Sequence, residues 1–451
     1  MKEKRLAPRP PGGRSPALAR WAAALAVVLL VRLIPVLAFA PDRVPPSGDI
    51  RVYVSVSKEL ARSAGAWAEQ GGEFGYRAPL FFAYLAAIWK LVPSATYKIF
   101  PIAVLFFGVL DCLLIYRIGL LVAGRRAAWA AFWIRGLLPA FVIHDTFPVS
   151  ETLFTPLLLG AVLILLSHGS SPSLGKSALL GLLIGAAVLT RESAVGFPVV
   201  FGIALVLLAR GQARALPHVF AFALLILVVL TPWLWRNQAV WGSPLPLANT
   251  SGVNLHIGNN PEATGKHVEL DAVTPEGMIW GSPAFGRWHR DQAIAYMREN
   301  PGRFLANGFR KISWLLFPSF HRDDIRVAYG PPERALLALV LASGAGSVLL
   351  LLGGLSGLLL NRAGPYTWLT AALALYFLGG TFLAHGHPRY RDPIDQMLVL
   401  HAATLFFARR DLPGLLRSSS RGSRARLAIL AALVASLLVS WAWVALGKAD
   451  L

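Results

Sequence analysis

Cysteine is almost absent from the sequence: Cys112, inside an apolar run, is the only one among 451 residues. A single cysteine excludes an intramolecular disulfide and any metal site built from cysteine ligands. Charged side chains are also scarce, because Asp, Glu, Lys and Arg make up 15% of the residues whereas hydrophobic residues make up 55%. With a mean hydropathy of +0.57, this composition excludes a soluble globular protein and indicates a membrane protein.

Acidic residues are few relative to basic ones, with 23 Asp and Glu against 43 Lys and Arg, which gives a formal net charge of +20. Such a charge can indicate nucleic-acid binding, but the sequence lacks basic stretches interleaved with aromatic residues outside its apolar runs. The Lys and Arg residues cluster instead in short segments between those runs, as the positive-inside rule predicts. We therefore expect a lipid bilayer, and no nucleic acid, as a partner of this protein.

The apolar runs are too long for barrel strands. Only helices then satisfy the backbone hydrogen bonds within lipid, so the sequence predicts an all-α polytopic membrane protein. About eleven transmembrane helices are expected, at 18–40, 98–123, 126–144, 150–167, 177–193, 196–209, 216–235, 335–360, 366–384, 393–408 and 426–446. The run 79–92 is shorter than a bilayer requires and predicts an interfacial or re-entrant helix.

The charges of the loops assign an orientation to these helices. The side that carries most basic short loops also carries the basic N-terminus and is predicted to be cytoplasmic. The first apolar run has no recognisable cleavage signature, so we interpret it as an uncleaved helix. The predicted parts are a cytoplasmic tail (1–17), a transmembrane module (18–408) with a first outer loop (41–97) and an outer loop domain (236–333), a basic cytoplasmic loop (409–425), and a last transmembrane helix with a short tail (426–451).

The first outer loop contains the segment Ser47-Gly48-Asp49-Ile50-Arg51-Val52-Tyr53. A carboxylate just outside a membrane span is costly near lipid, so its charge must be neutralised or used. Asp49 lies beside a glycine and ahead of a polar helix that we expect over Val54 to Gln70. We predict that it is a general base that faces a membrane-borne substrate, and the alternative is a helix N-cap.

Further motifs follow along the predicted outer side. They are Tyr76-Arg77-Ala78-Pro79-Leu80, Ser150-Glu151-Thr152-Leu153-Phe154, Leu189-Thr190-Arg191-Glu192, Pro232-Trp233-Leu234-Trp235-Arg236-Asn237, Asn254-Leu255-His256-Ile257-Gly258-Asn259-Asn260, Asn300-Pro301 with Lys311, and His387-Pro388-Arg389-Tyr390-Arg391-Asp392-Pro393. With the acidic residue after the first span, their order resembles the membrane glycosyltransferases of the C superfamily, which take sugars from polyprenyl phosphate. These include the protein O-mannosyltransferases and the aminoarabinose and galacturonic acid transferases of lipid A.

The resemblance covers most of residues 18–408 and departs from the protein O-mannosyltransferases at one position. Those enzymes carry Asp-Glu at the catalytic position, where this chain has Asp49-Ile50. The looser bacterial branch of the superfamily, whose acceptors vary, is therefore the better match. The resemblance implies an inverting enzyme at the extracytoplasmic face of the plasma (inner) membrane. It would move a sugar from a polyprenyl-phosphate donor to a lipid, glycan or protein acceptor.

The resemblance also implies roles for individual residues. Asp49 would be the base, with Glu151 or Asp145 as a second carboxylate, and these three could hold a divalent metal ion. A phosphate leaving group needs cations, best the forked donors of arginine. Donor-phosphate binding is therefore expected at Arg77, Arg191, Lys311, Arg389, Tyr390 and Arg391.

Several of these residues have structural alternatives. Glu151 could cap the fourth span, Arg191 could pair with its neighbour Glu192, and Lys311 could extend its amine to the interface. His385 and His387, which Gly386 separates, have a spacing that is typical of metal ligands, although loop histidines of this kind are usually only solvated.

Charged residues also fall inside the predicted spans. Asp111 and Arg135 lie in consecutive antiparallel helices, within about one helical turn of the same depth, so we expect a structural ion pair. Arg32 is expected to reach from the outer half of the first span to the interface.

A transporter or flippase of lipid-linked glycans is the competing function. Transporters typically contain paired halves and helices interrupted at the midplane. The sequence has no visible internal repeat, and its polar motifs gather outside the apolar runs. We therefore favour the enzyme.

Overall fold

The computed structural model describes residues 16–45, 48–68, 72–208, 212–244, 247–266, 277–318, 322–360, 364–408 and 421–445. Most of these residues are helical. The helices are α1 (Pro16–Phe39), α2 (Gly48–Arg62), α3 (Gly72–Tyr76), α4 (Leu80–Leu91), α5 (Ile99–Val122), α6 (Arg125–Leu137), α7 (Pro139–His144), α8 (Ser150–Ser170), α9 (Leu174–Thr190), α10 (Phe197–Leu208), α11 (Gln212–Trp241), α12 (Thr250–Ile257), α13 (Pro283–Glu299), α14 (Pro301–Leu316), α15 (Arg322–Tyr329), α16 (Glu333–Leu360), α17 (Pro365–Leu383), α18 (Asp392–Ala408) and α19 (Arg421–Ala445).

Seven of the described helices are long and apolar enough to cross a membrane: α1, α5, α8, α11, α16, α17 and α19. α4 and α9 are apolar but shorter. The predicted all-α polytopic membrane class is confirmed, and each predicted span coincides with one helix or, in one case, with two. The number of eleven crossings stays a prediction. The predicted basic tail and basic loop lie mostly outside the described residues, at 1–15 and 409–420.

The predicted span 126–144 consists of two helices. α6 ends at Leu137, Leu138 has an extended backbone with φ −64° and ψ 121°, and Pro139 begins α7. Proline disfavours the helical conformation at the residue before it and lacks the N–H that a continuous helix needs. The short α7 then ends at His144 and leads into the loop that precedes α8.

The core of the bundle is formed by helices that approach closely. α11 packs along α9, α16 packs along α18, and α5 contacts both α6 and α8. Glycine permits two of these contacts, because a Cβ at Gly181 would clash with the carbonyl group of Phe222, and one at Gly357 would clash with that of His401. Small residues commonly allow such close packing between membrane helices, where van der Waals contact drives association.

The predicted first outer loop (41–97), called the first outer segment below, contains α2 and α4, which pack against each other. α2 begins at Gly48 and ends at Arg62, so the polar helix starts and ends earlier than the predicted Val54 to Gln70. The ring of Tyr53 lies 5.0 Å from that of Phe81 on α4. The buried face of α2 has helical spacing and consists of Ile50, Tyr53, Val54, Ser57 and Leu60.

The predicted outer loop domain (236–333), called the second outer segment below, contains α12 to α15. α13 ends at Glu299 and Pro301 begins α14, so the predicted pair of helices with a break at Pro301 is confirmed. α14 packs against α17 while its Leu305 and Phe309 side chains are exposed. An exposed apolar face beside basic residues is typical of helices that lie on a membrane surface.

Four charged residues form a buried network between α1, α5, α6 and the loop after α7. Arg135 lies 2.8 Å from Asp111 and 2.7 Å from Asp145, and Arg32 lies 2.7 Å from Asp145. The four side chains are at most 5% exposed. Gly108 makes the space, because a Cβ there would clash with the Asp145 carboxylate. The expected contact between Asp111 and Arg135 is present, but Arg32 belongs to the same network and does not extend to the interface.

Neutralising one member of this network should leave an unpaired buried charge. Asp111→Asn or Arg135→Gln alone is expected to lower the free energy of unfolding by about 3–5 kcal/mol. The double variant should recover much of that loss, because Asp145 still pairs with Arg32. Thermal unfolding in a single detergent measures the effect, with the exposed Arg322→Gln as control. Losses that simply add in the double variant would contradict the coupling.

The predicted orientation can be tested by labelling single cysteines in a Cys112→Ala background. Glu262 lies in the second outer segment and Arg126 at the start of α6, and both are exposed. We expect a cysteine at 262 to react with an impermeant thiol reagent in intact cells, and a cysteine at 126 to react only after permeabilisation. Labelling of both from the same side would contradict the assignment of the loops.

Candidate active site

Asp49 lies in the first turn of α2. Gly48 before it has a φ of +76°, which side chains disfavour, so glycine allows the chain to turn directly into the helix. A carboxylate in the first turn is stabilised by the partial positive charge of the helix N-terminus. The Asp49 side chain is 24% exposed, so it is accessible while α2 holds it in place.

Arg77 contacts Asp49 from one side. Its Nη1 atom lies 3.0 Å from Oδ1 of Asp49, and its Nε donates to Glu73 at 3.2 Å. Glu73 is four residues earlier, within α3. The side-chain amide of Asn249 donates to the carbonyl of Gly75 at 3.0 Å and thereby ties α3 to the second outer segment. The two outer segments together therefore set the position of this guanidinium group.

Arg389 contacts Asp49 from the other side and links it to a second carboxylate. Its Nη2 atom donates to Oδ2 of Asp49. Its Nε atom lies 2.9 Å from Oε1 of Glu151, in an ion contact without hydrogen-bond geometry. Its Nη1 atom lies 3.8 Å from Asp324 of α15. Because a guanidinium group has five donors in a planar fork, one side chain can contact three carboxylates from distant segments.

Arg191 closes the cluster beside Glu151. It directly follows α9 and has an extended backbone, with φ −146° and ψ 132°. Its Nη1 atom lies 2.6 Å from Oε2 of Glu151 and donates to the Ser150 hydroxyl at 2.9 Å. Glu151 itself is 4% exposed. The alternative in which Arg191 pairs with Glu192 is not what the structure contains, because Glu192 accepts a hydrogen bond from Thr250.

The charges of this cluster set the ionisation of Asp49. Burial alone would raise the pKa of Asp49, but the guanidinium groups of Arg77 and Arg389 outweigh it and hold that pKa well below its usual range. Asp49 is therefore an anion at physiological pH. Burial raises the pKa of Tyr390 to about 12, so its phenol stays protonated and can donate a hydrogen bond.

Asp145 does not join Asp49 and Glu151, because it contacts Arg32 and Arg135 in the buried network. Among the described residues, no group of three or more His, Cys, Asp and Glu side chains could hold a metal ion. Guanidinium groups already lie beside both carboxylates of the cluster and would repel a divalent cation. The three carboxylates therefore do not form one site, and binding of a divalent metal ion stays a prediction.

Arg391 and Lys311 are fully buried and bind other parts of the protein. Arg391 donates to Asp395 at 2.9 Å and to two backbone carbonyls at the end of α14. Lys311 donates to the side chain of Asn259 at 2.9 Å and to two carbonyls at the end of α17, and burial lowers its pKa to about 7. These contacts fix the segment that carries Arg389. Because both side chains are fully buried with protein partners, the structure does not bring them to the cluster around Asp49, and we propose no role for them in binding the donor phosphate.

Sequence reasoning missed Glu73 and Asp324. The spacing of Glu73 and Arg77 is the i,i+4 spacing of helical ion pairs and could have identified the first. Asp324 carries no local signal, because its approach to Arg389 depends on how α15 packs onto the rest of the protein.

Comparison with known proteins adds information on the fold. No family model and no curated protein match the chain. The apo oligosaccharyltransferase from Archaeoglobus fulgidus matches with a TM-score of 0.51 and 13% sequence identity, over 97% of this chain and 56% of that one. This chain has the fold of that oligosaccharyltransferase. The resemblance predicted from the motifs is therefore confirmed at the level of the fold. This chain spans about half of the archaeal enzyme's length.

Other solved structures match over a similar extent. The archaeal oligosaccharyltransferase tethered to an acceptor peptide with the NVT sequon gives a TM-score of 0.50 at 13% identity, over 95% of this chain and 54% of that one. ArnT from Cupriavidus metallidurans bound to undecaprenyl phosphate gives 0.46 at 14% identity, over 88% of this chain and 79% of that one.

Proposed function

We propose that the protein is an inverting glycosyltransferase that moves a sugar from a polyprenyl-phosphate donor to a hydroxyl group of a lipid, glycan or protein. The reaction takes place at the extracytoplasmic face of the plasma (inner) membrane. One observation carries the proposal: the accessible Asp49 carboxylate lies between Arg77 and Arg389, and Arg389 and Arg191 share Glu151. The fold of an oligosaccharyltransferase supports the same kind of transfer.

The three arginines would bind the donor phosphate. Their side chains are 16–23% exposed, so part of each guanidinium group is available to a ligand. The phosphate gains negative charge as the bond to the sugar breaks, so fixed cations stabilise the transition state more than the ground state. Arginine suits this role because its planar fork binds phosphate oxygens in pairs and its charge persists at any physiological pH.

Asp49 would accept the proton of the acceptor. The acceptor oxygen attacks the anomeric carbon and forms the new glycosidic bond, while the bond between that carbon and the phosphate oxygen breaks. Polyprenyl phosphate leaves with the electron pair, and the hydroxyl proton passes to Asp49. A single displacement inverts the anomeric configuration. It needs one carboxylate as base, and of the two carboxylates that Arg389 links most closely, Asp49 is 24% exposed whereas Glu151 is 4% exposed.

Donor binding would make Asp49 a stronger base. In the free protein two guanidinium groups hold its pKa down, which keeps it ionised but weakens its affinity for a proton. A phosphate bound to Arg77 and Arg389 adds negative charge beside Asp49, and a nearby like charge raises the pKa of a carboxylate. The base would therefore approach a useful pKa only when donor is present.

Asp49→Asn should abolish transfer while leaving the protein folded. The amide keeps the size of the side chain but cannot accept the proton as a base, a contribution typically worth about 100- to 10,000-fold. Asp42→Asn is the matched control, because Asp42 lies in the same outer loop, is 72% exposed and pairs with Lys98 at 3.2 Å. The rate of polyprenyl-phosphate release from labelled donor measures the effect. Wild-type turnover by the Asp49 variant would exclude its role as base.

Arg389→Gln should change the shape of the pH profile as well as the rate. Removing one of the cations that depress the pKa of Asp49 raises that pKa, so a smaller fraction of the carboxylate is ionised in mild acid. As the pH falls toward the usual carboxyl pKa of about 4, we expect kcat/KM of the variant to decline at pH values where that of the wild type is still constant. Arg322→Gln, 57% exposed, should keep the wild-type profile. A variant slowed equally at every pH would contradict the coupling.

A further inference from the structure

A second polar group lies on the other side of Arg191. Glu192 follows it in the chain and begins the short turn Glu192–Ala194. While Arg191 contacts Glu151, the Glu192 carboxylate accepts hydrogen bonds from the Thr250 hydroxyl and from the side-chain amide of Asn254, the latter at 2.7 Å. Two adjacent residues therefore connect the arginine cluster to α12.

The Glu192 carboxylate keeps acceptor capacity. Each of its oxygens accepts one hydrogen bond, whereas a carboxylate offers about four lone-pair sites. The partners are a neutral hydroxyl and a neutral amide. Glu192 and Asn254 are both only partly buried. Burial raises the pKa of Glu192, while its two hydrogen bonds and the charges of Arg191 and Arg77 act in the opposite direction. The carboxylate is thus close to the arginine cluster and able to accept further hydrogen bonds.

The same group reaches the segment that carries Arg389. With the tautomer protonated at Nε2, His385 donates to Oδ1 of Asn254 at 3.4 Å, and its ring lies 5.3 Å from that of Tyr390. Glu192, Asn254 and the buried His385 therefore form a chain of polar contacts from the end of α9 to the turn bearing Arg389. A sugar attached to a phosphate held by the arginines would lie near the partly exposed members of this chain, Glu192 and Asn254.

We propose that Glu192 and Asn254 bind hydroxyl groups of the transferred sugar and select donors whose sugar has no acidic group. This inference rests on the proposed function. Sugar hydroxyls donate to carboxylates in charge-assisted hydrogen bonds, which are stronger than neutral ones. A uronic acid would bring a second carboxylate against Glu192, and the repulsion between like charges would oppose its binding.

The proposal separates binding of the sugar from binding of the phosphate. Glu192→Gln keeps the size of the side chain and its contact with Thr250 but removes the charge. We expect kcat/KM for a neutral hexosyl polyprenyl-phosphate donor to fall by about 10- to 100-fold. The ratio of kcat/KM for the neutral donor to kcat/KM for the uronosyl donor should fall as well. The affinity for sugar-free polyprenyl phosphate should stay at the wild-type value. Arg191→Ala should weaken the binding of both ligands.

Wild-type protein alone provides a second test, because it should turn over the neutral donor faster than the uronosyl donor of the same lipid. A wild type that turns over no donor overturns the proposed function itself. A wild type that is active but prefers the uronosyl donor overturns the selectivity. A Glu192→Gln variant that loses affinity for sugar-free polyprenyl phosphate as much as for the donor shows that Glu192 only supports the fold.

Discussion

The contact of Arg389 with Asp49 and Glu151 is the interaction on which the site depends. It joins the start of α2 to the start of α8 through a residue of the turn before α18, three segments far apart in the sequence. Charges that are partly removed from water need partners, and removing one partner of such a pair is costly. The outer segments must therefore fold against the bundle so that these charges meet. The same requirement holds Asp49 at a fixed place between Arg77 and Arg389.

The protein contains two clusters of carboxylates and arginines that differ in their exposure to solvent. The deep cluster of Asp111, Asp145, Arg32 and Arg135 is at most 5% exposed and balances two negative with two positive charges. The outer cluster also pairs carboxylates with arginines, but Asp49 and Arg77 are 23–24% exposed. A closed cluster stabilises the bundle, whereas an open one can exchange a protein carboxylate for a ligand phosphate. Exposure, rather than residue type, separates the structural arginines from those that we propose as functional.

The sequence predicts much of the fold because the length and hydropathy of an apolar run indicate whether it forms a helix that can cross a lipid bilayer. It also predicts a site that contains Asp49, Arg77, Arg191 and Arg389, and the structure brings these four side chains into one cluster around Glu151. It fails where a residue's role depends on long-range packing. Asp145 looks equivalent to Glu151 along the chain, yet the proline break before α7 directs it into the deep cluster. Three further differences have the same origin: Arg391 and Lys311 turn inward to backbone carbonyls, and Asp324 reaches Arg389 only through the packing of α15.

The most direct test of the account is a structure of the purified protein with a polyprenyl-phosphate sugar bound to the Asp49→Asn variant. The account predicts phosphate oxygens within hydrogen-bonding distance of the guanidinium groups of Arg77, Arg191 and Arg389. It also predicts that residue 49 lies on the face of the anomeric carbon that is opposite the bond to the phosphate. A phosphate bound on another surface of the protein, with these three arginines still paired only to carboxylates, would contradict it.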